Sequence, residues 1–327
     1  MPRGLAATEE RWPLAEAFVI SRGAKTEVRL VVVDLTEAGE RGRGESAPYE
    51  RYGETPGSVL AQIEGVRPAV EAGCGRVELQ SLLPAGAARN ALDCALWDLE
   101  AKQSGRRAYD LAGRGPPGPV KTAYTLSLGS PEAMAGTAAK ASRRPMLKLK
   151  LGGAGDLARV QAVREAAPRT RLIVDANEAW DFRTLQALAP ELARLGVMLI
   201  EQPLKAGEDQ VLEDYDSPVP LCADESLHTR AELGACAGRY ACVNIKLDKA
   251  GGLTEALALA AAARERGLQV MVGSMVATSL SMAPALILAQ GADFVDLDGP
   301  LLLARDREPG LSYLGSMIEP PPPELWG

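Results

Sequence analysis

From Val120 onward the chain alternates short apolar segments with helical stretches at a period near 25 residues. Strand-like segments fall at 122–128, 147–151, 172–175, 198–201, 218–223, 241–247, 269–273 and 292–298. One intervening stretch, 253–266, is rich in Ala and Leu and stops at Gly267. Strands separated by helices must run parallel, because the crossover carries the chain back each time. About eight such strands predict a TIM-type barrel.

The ends of these strands carry the chemistry. The second reads Met146-Leu147-Lys148-Leu149-Lys150-Leu151, with the leucines on one face and both lysines on the other, about 6–7 Å apart. Ammonium groups so placed repel, which favours a neutral amine able to act as a base. Alone, the pair also suits an edge strand that blocks aggregation. The following strands end in Asp175-Ala176-Asn177, Glu201-Gln202-Pro203, Asp224-Glu225-Ser226, Asn244-Ile245-Lys246 and Asp296-Leu297-Asp298. From Lys150 to Lys246 the charges recur at steps of 22–26 residues, one per βα unit. A barrel gathers such positions on one rim, where active sites sit. Asp175, Glu201 and Asp224 would repel one another without a cation, and oxygen-only ligands suit Mg²⁺. Lys150 and Lys246 flank them and are read as acid/base groups. One removes an α-proton beside a substrate carboxylate, the metal steadies the enediolate, and the other returns a proton.

Composition narrows the partners. A formal charge of −7 gives no basic footprint for nucleic acid. No apolar run reaches the roughly 18 residues of a membrane span. Charges interrupt residues 1–18, so no signal peptide is expected. Five scattered cysteines without a CxxC suggest reduced thiols in a cytoplasm. The single histidine, His228, excludes HExxH zinc chemistry and reads as a loop residue. Residues 1–115 read as an α+β unit, with strands at 18–20 and 27–33, a polar loop at 21–26 and a Tyr- and charge-rich loop at 47–54. A helix over 90–102 carries Leu92, Leu96 and Leu99. Gly and Pro at 113–118 mark a boundary, the barrel takes 116–299, and 300–327, with Pro320 to Pro323, packs back on the first unit.

The motifs LKLK, DANEAW, EQP, ADES, NIKLDKAGG and VGSM, with PAGAARNALDCALWDL near the N-terminus, resemble the muconate-lactonising subgroup of the enolase superfamily. The resemblance implies a modified TIM barrel, (β/α)7β, with an N-terminal α+β capping domain completed by the C-terminal tail. It assigns Lys150 and Lys246 as acid/base residues, Asp175, Glu201 and Asp224 as Mg²⁺ ligands, and Lys148 as a neighbour of the substrate carboxylate. Asp296 and Asp298 share one face by period two and call for a cation, which an α-ammonium supplies. With ARN-ALDCALWDL and DLDGP, this DxD is similar to that of the L-Ala-D/L-Glu dipeptide epimerases of murein-peptide recycling. In that family Thr125, Ser274 and Val276 would contact the substrate. Arg22 or Lys25 would meet its side-chain carboxylate, and Tyr49, Arg51 and Tyr52 would close a lid. Open alternatives are an o-succinylbenzoate synthase, a cycloisomerase, an N-acylamino acid racemase, a Schiff-base aldolase barrel and a non-catalytic binding barrel. A small dipeptide is the expected partner, and a homo-oligomer is left open. Lys249 reads as a surface residue, Glu225 as a hydrogen-bonding neighbour of the ligands facing away from Asp224, and Cys222, Cys242 and Trp180 as packing.

Overall fold

The structure, a computed structural model, describes residues 3–327. The first sheet is antiparallel and formed by β1 (Gly4–Ile20), β2 (Gly23–Glu37) and β3 (Glu40–Ser46). The polar loop expected at 21–26 is only a tight turn at Ser21-Arg22, since Ala24 pairs with Val19 and Lys25 with Phe18. β1 is far longer than the 18–20 segment, because its scattered charges lie on a solvent-facing ribbon and pair with β2.

Helices α1 (Pro56–Glu71), α2 (Arg76–Leu82) and α3 (Ala87–Ser104) cover this sheet. α3 includes the expected Leu92, Leu96 and Leu99, all buried. It lies almost on the backbone of β3. A Cβ on Gly44 would stand 2.0 Å from the Ala91 carbonyl oxygen, and one on Gly42 2.3 Å from that of Ala95. The Arg-Gly-Arg-Gly run is therefore a strand whose glycines admit a helix, although glycine argues against a strand in sequence.

The barrel follows β4 (Val120–Lys121). Its strands are β5 (Tyr124–Leu126), β6 (Met146–Lys150), β7 (Arg171–Asp175), β8 (Val197–Glu201), β9 (Leu221–Ala223), β10 (Cys242–Ile245), β11 (Gln269–Gly273) and β12 (Phe294–Asp296), all parallel and hydrogen-bonded in chain order. The first and last strands meet through Ala123 N–H donating to the Val295 carbonyl at 2.8 Å and Leu297 N–H to Thr122 Oγ1 at 2.8 Å. β6 is thus a buried interior strand rather than an edge.

Inside the barrel, Ala123, Met146, Ile173, Leu199, Cys222, Cys242, Met271 and Phe294 form one apolar floor. Two residues further along each strand, the same inward face turns polar: Thr125, Lys148, Asp175, Glu201, Asp224, Asn244, Gly273 and Asp296. The intervening Leu147, Leu149, Val174, Ile200 and Val243 pack outward against the helices. Period two therefore makes both the floor and the site above it.

The tail adds β13 (Tyr313–Leu314) and β14 (Met317–Ile318), and β14 pairs with β4. It then crosses to the cap, where Trp326 Nε1 donates to the Cys94 carbonyl at 3.0 Å and Gly327 N–H to Asp98 Oδ1 at 2.7 Å. All five cysteines are buried and unpaired. No helix among the described residues is long and apolar enough to cross a membrane.

Candidate active site

Because their strands are neighbours, the expected acids and lysines interleave. Lys150 Nζ donates to Asp175 Oδ2 at 2.6 Å, and Lys246 Nζ to Asp224 Oδ2 at 2.6 Å. Asp175, Glu201 and Asp224 end β7, β8 and the segment after β9. Lys150 stands on one side of that row and Lys246, just past β10, on the other. Asn244 Nδ2 fixes Glu201 Oε1 at 2.8 Å. Gly273 leaves room for Asn244, since a Cβ there would come within 2.6 Å of its side chain.

Lys148 is buried, 1% exposed. Its Nζ is 2.7 Å from Glu201 Oε2, 2.8 Å from Asp296 Oδ2 and 3.2 Å from Asp175 Oδ2. Asp296 and Asp298 converge on Thr125, whose N–H donates to Asp298 Oδ2 at 2.6 Å and whose Oγ1 lies 3.4 Å from Asp296 Oδ1. Ser274 Oγ donates to the Asp296 carbonyl at 3.4 Å, and Ser274 and Val276 are half-buried beside it.

The electrostatics correct one expectation. Lysine repulsion is not the governing effect. Burial lowers the Lys148 pKa, but Asp296, Glu201 and Asp175 outweigh burial and hold it well above the lysine range. For Lys246, Asp224 and Glu201 likewise overcome burial and the charge of Lys148. The acids divide. Burial and Asp175 push Glu201 up, while Asp224, buried as well, is held well below the carboxylate range by Lys246 and Lys249.

Lys249 is a second correction. It is 1% exposed rather than on the surface, and its Nζ lies 2.6 Å from Asp224 Oδ1 and 3.0 Å from the Asn244 carbonyl it donates to. Glu225 turns to Arg22, accepting at 2.8 Å. Trp180 is buried and donates to Asp156 Oδ2 at 2.8 Å. His228 packs edge-on against Tyr52, ring centroids 4.4 Å apart.

The cap turn also meets the site. Arg22 donates to Glu225, to Glu178 Oε2 at 3.2 Å, to the Asn177 carbonyl at 2.8 Å and to Tyr49 Oη at 2.8 Å. Lys25 instead lies over the Tyr49 ring, 5.5 Å from its centroid, away from the acids. Sequence reasoning passed over Glu178, Gln202 and Asn244. Gln202 binds the Asp224 and Ser226 N–H groups at 2.8 and 3.1 Å, shaping the turn that presents Asp224. In EQP and NIK the charged residues carry the signal, and the neutral amides Gln202 and Asn244 beside them carry none comparable.

Among the described residues, no three Asp, Glu, His or Cys side chains stand as a ready metal cage, because the Lys148 ammonium lies among the acids. The donor set nevertheless fits a hard divalent cation. It is all oxygen, from three adjacent strands, and Glu201 Oε2 and Asp224 Oδ1 are buried without an aligned hydrogen bond despite the nearby lysines. Two cavities, of about 810 and 440 Å³, border this centre. One is beside Gly152–Leu157 and Trp180, and the other is between Arg51, Tyr52 and Lys249.

Residues 3–113 match the mandelate racemase / muconate lactonizing enzyme N-terminal domain, and residues 132–301 the enolase C-terminal domain-like family. The chain is 51% identical over 313 residues to the L-Ala-D/L-Glu epimerase of Escherichia coli (strain K12), covering 95% of this chain and 98% of that protein. It is 45% identical over 306 residues to an N-acetyl-D-glutamate racemase of Pseudoalteromonas sp, covering 91% and 95%. A solved enolase family member from Agrobacterium tumefaciens, with homology to dipeptide epimerases and holding sodium and L-Ala-L-Glu with an ordered loop, matches at 51% identity. That match has a TM-score of 0.98 and covers 100% of both chains.

Proposed function

The chain belongs to the mandelate racemase / muconate lactonizing enzyme family of the enolase superfamily and is an isomerase; from that premise we propose that it epimerises dipeptides, interconverting L-Ala-L-Glu and L-Ala-D-Glu. The observation that carries this reading is the placement of Lys150 and Lys246 on opposite sides of the three-acid row, with Asp296 and Asp298 beside it.

Inverting an α-carbon needs a base on one face and an acid on the other. Lys150 serves one face and Lys246 the other, exchanging roles with the direction of reaction. Lys148 faces the substrate carboxylate. Asp296 and Asp298 hold the peptide's α-ammonium, and Thr125 orients both acids. Arg22 carries the charge that a glutamate side chain seeks, and a substrate carboxylate there competes with Glu225 and Glu178. Asp175, Glu201 and Asp224 would hold Mg²⁺, which supplies positive charge for the carboxylate as its neighbouring carbon loses a proton. A cation held by these acids would also offset the field by which Asp224 and Glu201 favour the protonated form of Lys246.

A second reading is racemisation of an N-acylated glutamate, favoured by the 45% identical relative. Incubation with Mg²⁺ in D₂O separates them. L-Ala-L-Glu should gain one deuterium at the glutamate α-carbon and yield L-Ala-D-Glu. Exchange of N-acetyl-glutamate but not of the dipeptide would favour the second reading and sink the first.

A further inference from the structure

The β1–β2 turn and the loop after β3 both reach over the strand ends, and one side chain fastens both. Arg51 donates to the two oxygens of Glu178 at 2.8 Å each. Arg22 adds its bond to Oε2 of the same carboxylate. From the barrel side, Ala206 N–H donates to Glu178 Oε1 at 2.9 Å. The acid side chain is 6% exposed, and that of Arg51 38%, so the arginines close onto an anchor the barrel already buries.

The backbone is bent to place this anchor. Asn177 and Glu178 have φ of 44° and 66°, left-handed values that cost free energy for residues other than glycine. Glu178 N–H donating to the Gln202 carbonyl at 2.9 Å, and Ala179 N–H to that of Ala176 at 3.0 Å, keep the bend. Burial pushes the Glu178 carboxyl up, but bonds from Arg51 and Ala206 and the guanidinium charges hold it below the usual range. It is therefore ionised at neutral pH.

We propose that Glu178 is the latch of the cap, a positioning residue that holds both loops shut over the site by pairing with Arg22 and Arg51 together. This rests on the reading that the reaction runs beneath those loops. Closed loops keep water out and hold Arg22 in place. Without the latch Arg22 keeps Glu225, whereas Arg51 has no other hydrogen bond among the described residues.

Three variants test it. Glu178→Gln keeps the oxygen that accepts from Ala206 and loses the charge. Glu178→Gly suits the left-handed backbone, and Arg51→Met leaves the barrel untouched. In amide hydrogen exchange without substrate, protection over 48–54 should fall about tenfold in all three, and over 20–26 in the two Glu178 variants, with 146–150 and 171–175 unchanged. KM for L-Ala-L-Glu should rise about tenfold, with kcat held within about threefold. Unchanged loop exchange in Glu178→Gln and Arg51→Met overturns the latch, and so does equal loss of protection in the barrel strands. Failure of the parent to exchange the substrate α-proton would overturn the proposed function instead, because the amide measurement involves no substrate.

Discussion

Asp298 shows how much a single position decides. Burial and the charge of Asp296 push its carboxyl up to about 7, so it carries a proton on the acid side of neutrality. A protonated acid cannot pair with an α-ammonium. On this account kcat/KM for L-Ala-L-Glu falls as pH drops through about 7, while N-acetyl-glutamate, which has no ammonium, lacks that limb. Asp298→Asn should cost the dipeptide about a hundredfold in kcat/KM and flatten its limb. Matching limbs for the two compounds in parallel pH–rate profiles would contradict the assignment. The charges at 175, 201, 224, 246, 296 and 298 are legible because each ends a strand or lies within two residues of its end, and period two fixes the face it points to. Lys249 is misread for the opposite reason. It sits in a short helix, Leu247–Ala250, and the carboxylate that draws it inward, Asp224, lies 25 residues upstream past β9, a tertiary partner that local pattern does not encode. Glu178 escapes because nothing in its residue type announces a left-handed backbone.

Among the elements, the barrel strands are the most legible, since a floor and a site stacked on one face demand regular alternation. β3 is invisible, because Gly42 and Gly44 are there for what lies above them rather than for the strand. The approach of α3 explains why. With only 2.0 Å available to a Cβ, Gly44→Ala forces strand and helix apart. Overpacking of this kind costs about 1–3 kcal/mol. Chemical denaturation should show that loss for Gly44→Ala. Gly65→Ala, in α1 with nothing near its Cβ, should be neutral or slightly stabilising. Equal stabilities for the parent and Gly44→Ala would refute the close-packed reading of β3 and α3.

Across the whole molecule, cap and barrel are joined by buried acids as well as by the returning tail. Asp248, just past β10, accepts from Ala47 N–H at 2.9 Å and Asn90 Nδ2 at 2.8 Å. Burial pushes its carboxyl up to about 7 despite those bonds. Between about 4 and 7 the folded chain holds a proton there that the unfolded chain releases, so stability is lost as pH rises through that window. Asp248→Asn keeps an accepting oxygen and removes this dependence. Its Tm relative to the parent should therefore climb from pH 5 to pH 8, and a constant difference would show that the joint does not titrate. The two lysines bear most directly on the whole account, because cap, floor and acids all serve their opposed placement. In D₂O with each epimer of Ala-Glu, Lys150→Ala should wash deuterium into one epimer without inverting it, and Lys246→Ala into the other. Exchange of the same epimer by both variants, or full inversion by either, would contradict a proton relay across two faces of one carbon.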